Sequence, residues 1–209
     1  MFYTSKIDVV FRFGDVVRGF ACSTPVVENP VLDGHDSHFD LEVYSSRLSV
    51  VLSPCCSIDK GILSLAPLQG LMPIFFKNPW WVEDFTRLNR PMPAERTVPP
   101  HKWKAMPQET KERELDLEND AYAFDDFFIY QEHPLLPQYT VDLPGQPNQE
   151  TGCYMVDFKT AYRINCDKIK RDKEHPVDAK LLQLSEESRA DLRNKIVAYF
   201  ARVPVEDQV

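Results

Sequence analysis

Two apolar runs dominate the pattern of the chain: Leu48-Ser49-Val50-Val51-Leu52, closed by Ser53-Pro54, and Gly61-Ile62-Leu63-Ser64-Leu65-Ala66-Pro67-Leu68. Both are short, rich in branched residues and bounded by turn formers, which predicts buried strands; the brief connection between them predicts an antiparallel pair. Upstream, residues 7–13 are apolar and β-rich, Gly14-Asp15 reads as a turn, and residues 16–20 resume the pattern, so a first sheet or barrel strand is expected there. Residues 25–40 carry Pro25, Pro30 and Gly34 and predict a long loop before a strand at 40–44. Late in the chain, residues 154–158 and 161–164 read as strands interrupted by Lys159-Thr160. Ser185 then predicts a helix start, because its hydroxyl can cap the first turn and Glu186 and Glu187 complement the positive end of the helix. Leu192, Ile196 and Phe200 recur at i, i+4 and i+8, predicting one apolar stripe that covers an open sheet face.

Between these elements the punctuation comes from proline, 17 residues against 7 glycines. Pro91, Pro93, Pro99, Pro100 and Pro107 exclude helix and inner strand from one stretch. Residues 70–107 mix those prolines with Phe75, Phe76, Trp80, Trp81, Phe85 and Trp103, and are expected to form an irregular excursion anchored by large rings. Residues 108–128 begin charged and turn apolar, predicting a helix that runs into an aromatic strand or turn ending near Tyr130. A loop is expected over 134–150. The whole reads as α+β, mainly β: one domain over 1–209, with a core from 7–69 and 154–200, an aromatic and proline-rich insertion over 70–150, and a C-terminal helix.

Composition narrows the classes. With 209 residues, 43% of them hydrophobic, the chain is long enough to bury a core without staples. No apolar run reaches the roughly 20 residues of a membrane helix, and the opening MFYTSKIDVVFRFGD has no signal-peptide core, which predicts a cytoplasmic protein that engages no membrane. The formal net charge of −8 disfavours a general nucleic-acid coat unless basic residues cluster locally. The five cysteines are odd in number and lack repeated C-x-x-C spacing, which argues against a disulfide scaffold.

Few constellations carry chemistry. There is no phosphate-binding glycine loop, dinucleotide fingerprint, nucleophile elbow or H-E-x-x-H, and no cofactor is expected. Vicinal Cys55-Cys56 could join His35 and His38 in a zinc site, or serve as structural thiols beside a solvated polar loop. Trp80-Trp81 with Arg87 and Arg90, followed by Lys102-Trp103-Lys104, has the residue types that stack unpaired bases and neutralise phosphates; the same rings could simply anchor the loop.

The block from Arg47 to Pro54, then from Lys60 to Gln69, resembles the core of the MazF/PemK-type toxins. These are small SH3-like barrels in which a Gly-Asp opening strand is followed by a loop, an Arg-Pro, a Val-Val-Leu-Ser strand and a strand ending in Pro-x-Thr. Gly14-Asp15-Val16-Val17 matches the opening, Arg47 stands at the arginine and Pro67-Leu68-Gln69 at the end of the next strand. The segment from Val156 to Ile164 resembles a late barrel strand, and Leu184-Ser185-Glu186-Glu187 the start of the final helix. The resemblance covers about half of the chain, in pieces; residues 70–150 have no counterpart. It implies an SH3-like barrel, a bacterial or phage toxin–antitoxin or defence setting, and action on RNA through the arginine and threonine. Here Leu48 replaces the proline and Gln69 the threonine, which keeps hydrogen-bonding capacity but loses the hydroxyl. The expected function is therefore a non-catalytic binding module with a protein partner. The rival is a metal-independent endoribonuclease in which Arg47 steadies the phosphorane and Gln69, Asp15, Ser53 or Asp59 positions the attacking hydroxyl. Single-stranded RNA as a ligand and a homodimer are the further partners the resemblance implies.

Overall fold

A computed structural model describes residues 1–26, 40–45, 48–77, 81–82, 84–89, 105–107, 109–110, 126–165 and 180–201. Among the described residues the fold is mixed α and β, mainly sheet with one long helix. The chain forms two compact units. Thr4–Leu68 and Thr160–Gln183 make a sheet unit; Met1–Tyr3, Gln69–Lys159 and Leu184–Val209 make an aromatic unit. The strand after Thr160 lies with the opening strands, and residues 154–159 and the final helix lie with 69–153.

In the sheet unit, β1 (Val16–Val17) lies between β11 (Lys180–Leu182) and β4 (Ser49–Val51), β4 pairs with β5 (Ile62–Gly70), and β10 (Tyr162–Asn165) pairs with β5 on its other side. Every pairing is antiparallel. The expected pair of apolar runs is present, with Ser49 opposite Pro67 and Val51 opposite Leu65. The runs show no polar alternation because both faces of these strands are buried. Val17, Val51, Leu63 and Leu65 pack with Phe11 and Ile58 on one face, while Val16, Val50 and Ala66, in register on the other, are also inaccessible. Among the described residues β10 and β11 do not pair, so the sheet is open rather than a closed barrel.

A short helix, α1 (Cys55–Asp59), fills the connection between β4 and β5, and Gly61 follows it at φ +75°, a conformation that favours glycine. A separate hairpin pairs β2 (Ala21–Val26) with β3 (Asp40–Ser45), which places a strand where one was expected at 40–44. The expected strand over 7–13 does not form. Phe11 alone enters the core, and the backbone is held by side chains instead, because Asp8 and Asp15 accept from the amides of Val10 and Arg12.

In the aromatic unit β6 (Phe127–Tyr130) pairs antiparallel with β9 (Tyr154–Asp157), and β7 (Tyr139–Val141) with β8 (Gln149–Thr151). The β7–β8 pair replaces the loop expected over 134–150; its strands are three residues each, too short to leave an alternating pattern. The expected ring-anchored excursion is visible in part. Phe75, Phe76, Trp81 and Phe85 are buried with Phe127, Ile129 and Met155; Phe75 and Phe76 lie on a 3-10 turn at Pro73–Lys77 and Phe85 on another at Phe85–Asn89. The helix expected over 108–128 lies almost wholly outside the described residues. A 3-10 turn at Phe158–Thr160 separates β9 from β10, as the interruption at Lys159-Thr160 predicts.

The last helix, α2 (Glu186–Phe200), begins where expected, with the Ser185 hydroxyl accepting from the Ser188 amide at 3.2 Å. Its buried stripe is not the expected one. Leu192 is buried, but Ile196 is only partly so and Phe200 is 69% exposed; the stripe is Ser188, Leu192 and Lys195. Lys195 faces inward because its ammonium donates to the Leu88 carbonyl and lies 5.4 Å from the centre of the Phe127 ring.

Candidate functional site

Asp15 sits at the start of β1, just after Gly14, whose φ of +85° makes the turn. The Gly14 amide donates to the Val51 carbonyl at 2.7 Å, and the Val51 amide donates to the Asp15 carbonyl at 2.9 Å, so the turn is stitched to β4. This brings the Asp15 side chain inside, with no solvent access. Its Oδ2 accepts from Lys180 Nζ at 2.7 Å and from the Arg12 amide at 2.7 Å. Lys180, at the head of β11, also donates to Val10 O at 2.7 Å and to Asp8 Oδ1 at 3.1 Å. Asp8 in turn holds the Arg12 guanidinium, Nε at 2.7 Å. Burial pushes the Asp8 carboxyl up, but the hydrogen bonds and charges of Arg12 and Lys180 outweigh it and hold the group below the usual carboxylate range.

Ser53 is buried at the end of β4, where its hydroxyl accepts from the Ser64 amide at 2.5 Å and donates to Ile62 O at 3.4 Å, tying the close of one strand to the start of the next. Asp59 is exposed at the end of α1. Gln69 is half-buried near the end of β5 and belongs to the aromatic unit. Trp81 is a core residue, in edge contact with Phe75 at 6.3 Å between ring centres. That placement favours anchoring over base stacking for this ring. Arg47, Trp80, His35 and His38 lie outside the described residues, as does the side chain of Cys55. Cys56 is exposed. Among the described residues no three His, Cys, Asp or Glu side chains gather as metal ligands, and no helix is long and apolar enough to cross a membrane.

Lys180 escaped the sequence reading; its signal is a lysine heading the apolar run Lys180-Leu181-Leu182. Asn89 is a second buried polar residue without a motif. Its amide donates to Ile129 O at 2.7 Å and accepts from Ile129 N at 2.6 Å, acting as a one-residue strand partner for β6. Tyr139 is half-buried: its hydroxyl donates to Cys153 O at 2.7 Å and accepts from the Leu71 amide at 2.6 Å, and burial pushes its pKa up to about 12. Its ring lies 2.9 Å from where a side chain on Gly70 would begin, which requires glycine there.

Charge is uneven between the units. Thr4–Leu68 and Thr160–Gln183 hold 11 Lys and Arg against 12 Asp and Glu, leaving 13 against 20 for the rest of the chain. The sheet unit is therefore nearly neutral, and the acidity that disfavours nucleic acid belongs mainly to the aromatic unit. In comparisons with known proteins, no family model, curated protein or solved structure matches the chain.

Proposed function

We propose that the sheet unit is a MazF/PemK-like domain of SH3-like barrel type, acting as a non-catalytic binding module for a protein partner in a bacterial or phage toxin–antitoxin or defence system. The observation that carries this reading is the arrangement of the strands of this unit, β11-β1-β4-β5 in order with β10 pairing β5. It is a meander whose last strand returns beside its first, the order from which a small five-stranded barrel closes when its two edges meet. Among the described residues β10 and β11 are also consecutive strands of this unit in the chain.

The chemistry favours binding over cleavage. Metal-free RNA hydrolysis needs a base for the 2′-hydroxyl, a cation for the phosphorane and an acid for the leaving oxygen. Asp15 and Ser53 are buried and hold strands and turns together, Asp59 faces solvent, and Gln69 offers an amide that neither takes nor gives a proton at neutral pH. Arg47 is left as a cation suited to grip an anionic group.

The test is incubation of the purified protein with mixed single-stranded RNA in the presence of a chelator, alongside Arg47→Ala. Intact RNA in both samples is expected. RNA shortened by the wild type and left whole by a folded Arg47→Ala protein would overturn the proposal in favour of an endoribonuclease.

A further inference from the structure

We draw no further inference here: the strongest candidate, the exposed apolar surface patch at the end of the last helix around Val197 and Phe200, carries nothing because nothing in the structure shows what covers it.

Discussion

Replacing Lys180 by methionine removes the ammonium while keeping a long aliphatic side chain at a position whose side chain is 2% exposed. The Asp15 carboxylate would then keep the Arg12 amide but lose its cation at 2.7 Å, and Val10 O would lose its donor. Removing one partner of a buried ion pair costs about 3–5 kcal/mol, because the remaining charge is stranded away from water. The Arg12 amide softens that cost, so a loss of about 3 kcal/mol is expected. With a urea dependence of about 1–3 kcal/mol per molar, the unfolding midpoint should fall by about 1–3 M. The three tryptophans lie at 80, 81 and 103, within the range of the aromatic unit, so their fluorescence does not report on this site directly. Amide hydrogen exchange at Val51, whose N–H bonds to the Asp15 carbonyl, is the better readout. The double variant Asp15→Asn with Lys180→Met also removes the buried negative charge that Lys180 balanced and should be more stable than Lys180→Met alone. A single variant that loses less than about 1 kcal/mol, or a double variant no more stable than the single, would refute the view that this pair locks the turn at Gly14 to the sheet.

Other outcomes can be read from the same geometry. Asn89→Leu strands the Ile129 N–H and C=O, each at about 1–3 kcal/mol, and should lower the melting temperature followed by tryptophan fluorescence; an unchanged transition would exclude Asn89 as the partner of β6. Asp8 has its folded pKa depressed, so its stabilising contribution is present above the unfolded value, about 3.9, and is lost as pH falls through the lower folded value. Stability measured in urea from pH 5 downward should decline less steeply in Asp8→Asn than in wild type, and parallel slopes would count against the ion-pair network. Iodoacetamide at neutral pH should modify exposed Cys56 well before Cys153, whose thiol is pushed up by burial; peptide masses showing the reverse order would place Cys153 at the surface.

The β4–β5 pair was legible because both runs bury two faces, which writes a continuous apolar string, and because Pro54 and Gly61 mark their ends. The start of α2 was legible from Ser185 for an equally local reason. Residues 7–13 misled because their composition suits a strand, while Asp8 and Asp15 capture the amides a neighbouring strand would have taken. The stripe on α2 misled in the same way: hydrophobicity selects Phe200 over Lys195, yet a buried carbonyl and a ring face accept the lysine. Asp15 looked like a ligand-facing acid beside a glycine turn. Its partner, Lys180, comes from the other end of the chain, and no local pattern announces a contact of that span. β11 was missed for its three-residue length.

The boundaries at Tyr3, Leu68, Lys159 and Gln183 mean that the polypeptide passes between its two units four times. During synthesis β1, β4 and β5 must therefore leave the ribosome and wait while all of Gln69–Lys159 is made before β10 and β11 can complete their sheet. At about 5–20 residues per second that interval lasts several seconds, with strand edges exposed to whatever chaperone or neighbour is at hand. The same threading governs how a binding region is mapped. A fragment cut anywhere between Leu68 and Lys159 removes strands from one unit and halves the other, so lost binding in such a fragment reports damage rather than location. Point substitutions on exposed residues are the informative route.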